Sequence, residues 1–66
     1  MTIKINDKTY ELPEASTVAD ALEHAGVNTR GIATAVNNCV VAASERGKRV
    51  LADGDAIVII RAFYGG

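Results

Sequence analysis

The chain has 66 residues, 48% of them hydrophobic, and a formal net charge of −1 from seven Lys+Arg against eight Asp+Glu. A chain of this size forms one domain burying about 60% of its unfolded surface, which leaves no room for a deep cleft and argues against a self-contained enzyme. The near-neutral charge supplies no strong field to hold nucleic acid or an anionic membrane.

Thr2 to Asn6 alternates polar and apolar residues, with Ile3 and Ile5 on one face, and predicts a half-buried strand. Asn6-Asp7-Lys8 offers turn chemistry before a second alternating stretch, Thr9 to Leu12, so the N-terminus predicts a hairpin that Pro13 ends. Met1 to Asn6 lacks the apolar run of a signal peptide. Val18, Ala21, Leu22 and Ala25 then form one helical stripe, with Thr17 suited to the N-cap, Asp20 to the first turn and Gly26 to a left-handed stop.

Ile32 to Val36 predicts a strand covered on both faces, Asn37-Asn38 a turn, and Cys39-Val40-Val41 a short returning strand. Ala42 to Arg49 predicts irregular structure, with the cluster Arg46-Gly47-Lys48-Arg49 as a solvated basic loop. Asp53-Gly54-Asp55 predicts a tight turn feeding Ala56 to Ile60, the most β-prone run and the expected central strand. The order strand, strand, helix, strand, short strand, strand requires a mixed sheet with one helix on one face. The expected fold class is therefore α+β, a sheet of about five strands packed on one helix, with Ile3, Ile5, Leu22, Val36, Ile57 and Ile59 in its core.

Conventional chemistry finds little support along this chain. His24 is the only histidine, placed where a helix dipole favours a cation, and has no second histidine with which to share a metal. Cys39 is the only cysteine, which rules out an intramolecular disulfide and suits a reducing, cytoplasmic location. As a nucleophile it lacks a nearby histidine, and a small buried or edge hydrophobe is the expected role. Asp53-Gly54-Asp55 lacks the closing glutamate of a calcium loop. Gly47-Lys48 has Ala42 and Arg49 where a phosphate loop needs Gly and Ser or Thr. No metal, nucleotide or other cofactor is expected to bind, and no catalytic set is present.

The remaining candidate is the closing stretch Arg61-Ala62-Phe63-Tyr64-Gly65-Gly66. It reads either as a frayed end or as a flexible tail, 62–66, whose terminal carboxylate is the working group. A carboxylate is a poor electrophile, and becomes reactive only after conversion to an acyl-adenylate or similar species. With no nucleotide motif in this chain, ATP would have to be used by a partner. Glycines at 65 and 66 allow passage through a narrow channel, and Phe63 and Tyr64 can seat the base of the tail on that partner. The sheet face away from the helix is the expected docking surface, with Arg61 and Ile59 beside the tail as further partner-binding residues.

The stretch Leu51-Ala52-Asp53-Gly54-Asp55-Ala56-Ile57-Val58-Ile59-Ile60, followed by Phe63-Tyr64-Gly65-Gly66, resembles the ThiS sulfur carrier proteins of thiamin biosynthesis. Ile3-Lys4-Ile5-Asn6, Thr17 to Leu22 and Ala35-Val36-Asn37 extend the resemblance over nearly the whole chain. The resemblance implies a ubiquitin-like β-grasp fold over residues 1–66. It implies adenylation of Gly66 by a ThiF-type enzyme, replacement of AMP by cysteine-derived sulfur, and transfer from the resulting thiocarboxylate to a ThiG-type thiazole synthase. The small subunit of molybdopterin synthase shares the expected fold and the terminal Gly-Gly, but is generally longer and often has prolines before the tail. A TGS-like β-grasp binding module, for which the terminus is incidental, is the rival from another class.

Overall fold

A computed structural model describes residues 1–61 of the chain. The strands are β1 (Thr2–Ile5), β2 (Lys8–Glu11), β3 (Ile32–Val36), β4 (Cys39–Val41) and β5 (Ala56–Arg61), with the helix α1 (Val18–His24) between β2 and β3. They form a five-stranded sheet in the order β2-β1-β5-β3-β4. β1 and β5 run parallel, and the other neighbours are antiparallel. This is the ubiquitin-like β-grasp architecture, and the β-prone Ala56–Ile60 run lies at the sheet's centre as expected.

Asparagines make both hairpins tight. β1 pairs with β2 so that Ile5 faces Lys8, leaving Asn6 and Asp7 as a two-residue turn. The strand boundaries therefore fall one residue earlier than the alternation suggested: Asn6 leaves the strand with φ +53°, and Lys8 joins the ladder. In the β3–β4 turn, Asn37 and Asn38 have φ +49° and +71°. Positive φ at both central residues is the type I′ signature, and its twist matches that of the flanking strands.

Helix α1 is closed at both ends. The Thr17 hydroxyl accepts from the Asp20 N–H (3.2 Å), while the Asp20 carboxylate accepts from the Thr17 N–H (2.9 Å), a reciprocal capping box. The next two orphan donors, the N–H groups of Val18 and Ala19, reach the carbonyls of Arg49 and Arg46, each at 3.0 Å. At the other end Gly26, at φ +71°, donates to Glu23 and Val27 donates to Leu22, both at 3.0 Å. These two bonds form a Schellman motif.

The stripe residues Val18, Ala21 and Leu22 are buried against Ile3, Ile5, Val36 and Ile57 from the sheet. Leu12, Val41 and Leu51 complete the buried cluster, and Ile59 packs half-buried at its margin. Each large aliphatic side chain buried this way contributes about 1.5–3 kcal/mol.

In the segment after β4, Gly47 and Lys48 are exposed as expected of a solvated basic loop, but Arg46 is not. Ala43–Glu45 forms a short 3-10 turn that carries Arg46 inward, where it is only 8% exposed. Its guanidinium donates through Nε to the Thr34 hydroxyl (3.2 Å) and through Nη2 to the Ile32 carbonyl (2.8 Å). Thr34 in turn donates to the Val41 carbonyl (3.0 Å). The guanidinium is buried because fixed acceptors replace its water, and it ties the loop over the helix N-terminus to β3. Cys39, expected as a small buried or edge hydrophobe, lies exposed on the edge strand β4.

Candidate functional site

Phe63, Tyr64, Gly65 and Gly66 lie outside the described residues. What the structure places is the root of the tail. β5 is hydrogen-bonded to β3 along its length, from Val36 opposite Ile57 to Ile32 opposite Arg61. On its other side β1 ends sooner, its last pair being Ile5 with Ile57. The Asn6 N–H donates to the Ile57 carbonyl (2.8 Å), and the Asn6 side-chain oxygen accepts from the Ile59 N–H (2.9 Å), extending the ladder by one bond where the backbone turns away.

The start of β5 is fixed by a second polar cluster. The Asp55 carboxylate accepts from the Ala52 N–H (2.8 Å) and the Asn37 amide (2.9 Å), while the Asn37 side-chain oxygen accepts from the Ala56 N–H (3.0 Å). The Ala52 bond, with smaller help from Asn37 and from the charge of Arg49, holds the Asp55 carboxyl below its usual range, against an opposing effect of burial. Asp53 accepts from the Thr2 N–H (2.7 Å), so the expected tight turn also ties β1 to the approach to β5.

Strand alternation sorts the site residues by face. Ile57, Ile59 and Arg61 point to the helix side; Val58 and Ile60 point away from it. On the open face Ala33 lies opposite Ile60, and Ala35 lies between Val58 and Val40. The small alanines leave the branched side chains standing proud: Val40 is 82% exposed, Ile60 59% and Val58 43%. The β1–β2 half of the same face is polar, with Thr2, Lys4, Thr9 and Glu11, and the Thr2 hydroxyl donates to Glu11 (2.7 Å). The apolar surface is thus a half-face beside the tail root. Ile59 and Arg61, expected as partner-binding residues, have their side chains on the other, helix-side face. Val40, Val58 and Ile60 were not singled out from sequence, although five consecutive apolar residues from Ala56 to Ile60 require one apolar row to face away from a lone helix.

A model of the ThiS family matches residues 3–66. The chain belongs to the ThiS family. Its fold is similar to a crystal structure of the thiamine biosynthesis protein ThiS from Geobacter metallireducens, with a TM-score of 0.83, 22% identity and full coverage of both chains. It is also similar to a solution NMR structure of a thiamine biosynthesis protein from the same organism, with a TM-score of 0.74 and 22% identity over 100% of this chain and 88% of that one. No curated protein matches it.

A ThiS family member is a small sulfur carrier of thiamin biosynthesis. His24 is exposed at the end of α1 and meets the Tyr10 ring edge to face, 6.0 Å between centroids. Among the described residues no group of three or more His, Cys, Asp or Glu is placed to hold a metal. Among the same residues no helix is long and apolar enough to cross a membrane.

Proposed function

We propose that the carboxylate of Gly66 is the group that carries sulfur. A ThiF-type enzyme would bring ATP; a carboxylate oxygen attacks the α-phosphorus, pyrophosphate leaves, and Gly66 becomes an acyl-adenylate. A cysteine-derived sulfur nucleophile at the sulfide level then attacks the acyl carbon, AMP leaves, and a thiocarboxylate remains. A ThiG-type thiazole synthase takes that sulfur into the thiazole ring. The observation that carries this reading is the family match running through Gly66. It favours the thiamin pathway over the molybdopterin-synthase and TGS-like alternatives.

The platform supports the same reading. A carboxylate delivered into another protein's active site needs a fixed origin, and β5 supplies one at the centre of the sheet. Five residues beyond Arg61, at about 3.3 Å each when extended, reach roughly 16 Å. Glycine at the last two positions imposes no Cβ on the walls of the channel. The apolar half-face of Val40, Val58 and Ile60, with Phe63 and Tyr64 of the tail, forms the docking surface in this proposal.

Intact mass spectrometry of the chain purified from cells making thiamin tests the reading. The expected result is a fraction whose mass exceeds that of the sequence by one sulfur-for-oxygen exchange, located at Gly66 by fragmentation. A chain that stays unmodified in such cells, and is not adenylated by a ThiF-type enzyme with ATP, would overturn it.

A further inference from the structure

β5 outruns its parallel neighbour. β1 pairs with it only at Lys4–Ala56 and Ile5–Ile57, and the Asn6 side chain takes the next N–H, that of Ile59. Residues of one parity on a strand direct both N–H and C=O to the same side. The Ile57 carbonyl and the Ile59 N–H both face β1, so the Ile59 carbonyl and the Arg61 N–H face that side too, beyond the point where Asn6-Asp7 turns the chain away. Among the described residues the result is a short open sheet edge at the end of β5. It borders a notch of about 480 Å³. Half-buried Tyr10, Val27 and Ile59 line the notch, with Lys8, Arg61 and Asp7 also around it.

We infer that this edge, from Ile59 to Arg61, is a strand-addition site for an extended segment of the activating enzyme. Main-chain bonds to the Ile59 carbonyl and the Arg61 N–H set its register. Alternation places one of its side chains in the notch, and the three half-buried apolar residues there select an apolar one. Among the described residues, two cations against one carboxylate around the notch select an acidic neighbour. The occupant is the activating enzyme because the edge lies on the strand that leads into the tail. A segment paired there fixes the tail's starting direction. This inference rests on the adenylation reading. It adds a second contact, on the side of β5 opposite the apolar half-face.

Proline at position 61 separates backbone pairing from charge. The Arg61 N–H faces the open edge and not β3, so Arg61→Pro removes that donor without removing a β3–β5 bond. Arg61→Ala removes the charged side chain and keeps the N–H. Binding to the ThiF-type enzyme of the same organism is measured for both variants and the unmodified chain, with hydrogen exchange on the bound and free unmodified chain. Arg61→Pro should bind about tenfold more weakly than Arg61→Ala, the scale of one net hydrogen bond. The Arg61 amide should gain protection in the complex, while the Ile60 amide, facing β3, is protected throughout. Equal binding of the two variants, or an Arg61 amide that exchanges alike free and bound, would overturn the inference while leaving adenylation intact. An unmodified chain that neither binds nor is adenylated overturns both.

Discussion

Asp55 and Arg46 show how single polar side chains organise this domain. Asp55 joins the turn before β5 to the β3–β4 turn through the Ala52 N–H and the Asn37 amide. These bonds favour its ionised form, chiefly the one from Ala52, and its folded pKa is lowered. Its contribution to stability is therefore complete above the unfolded carboxyl pKa of about 3.9 and is lost as pH falls through the lower folded value. Replacing it removes that dependence. In Asp55→Asn the melting midpoint should be lower near neutral pH and should fall less between about pH 4 and the folded-state pKa than in the unmodified chain. The new amide can present only one oxygen to two donors. Melts of both chains across that range check the prediction, and parallel curves would place the acid sensitivity elsewhere. The turn itself was legible, because Asp-Gly-Asp before an apolar run has little other use. Asn37 as its partner, 18 residues away, was not. Arg46 was misread for the same reason. In sequence it heads a basic cluster among polar residues, whereas its acceptors belong to β3, 12 to 14 residues earlier.

At the scale of the elements, the helix was read almost whole. Its stripe, Thr17 cap and Gly26 stop are local signals, and the structure adds the reciprocal bond from Asp20 and the Schellman pair. The strands slipped by a residue because alternation cannot say whether an asparagine ends a strand or begins a turn; Asn6 at φ +53° decides for the turn. Gly26 isolates the backbone contribution to the helix stop. A Cβ added there meets nothing within 4 Å, so the cost of Gly26→Ala comes from φ +71° alone. That conformation costs an L-residue about 1–2 kcal/mol. In a domain this small each kcal/mol lowers the melting midpoint by about 4–8 °C. A calorimetric or circular-dichroism melt should show that loss with the native spectrum retained at low temperature. An unchanged midpoint would mean that the helix end tolerates a right-handed residue there.

For the molecule as a whole, one helix can cover only one face of a five-stranded sheet, so a central strand apolar on both sides keeps one apolar row exposed. The core lies on the helix side, and Val40, Val58 and Ile60 lie on the other. Under the proposed function, docking and chemistry should be separable, the first residing in the folded platform and the second in Gly66. Two variants test the separation. Adding one alanine after Gly66 displaces the carboxylate by roughly 3.5 Å, and misplacement by about 1 Å already costs on the order of 100-fold in rate. The pair Val58→Glu with Ile60→Glu keeps the tail but puts two charges on the apolar half-face. Both should fold with melting midpoints near that of the unmodified chain, because neither touches a buried side chain. In pyrophosphate release with a ThiF-type enzyme and ATP, both should be inactive alone. Mixed with the unmodified chain they should differ. The lengthened chain should inhibit competitively, at concentrations near the Michaelis constant of the unmodified chain, because it still docks. The double glutamate variant should not inhibit at those concentrations. A lengthened chain that is adenylated at the normal rate would remove Gly66 from the chemistry. A double glutamate variant that inhibits as well as the lengthened chain would move docking off this half-face, leaving the open edge of β5 and the tail as the surfaces the enzyme reads.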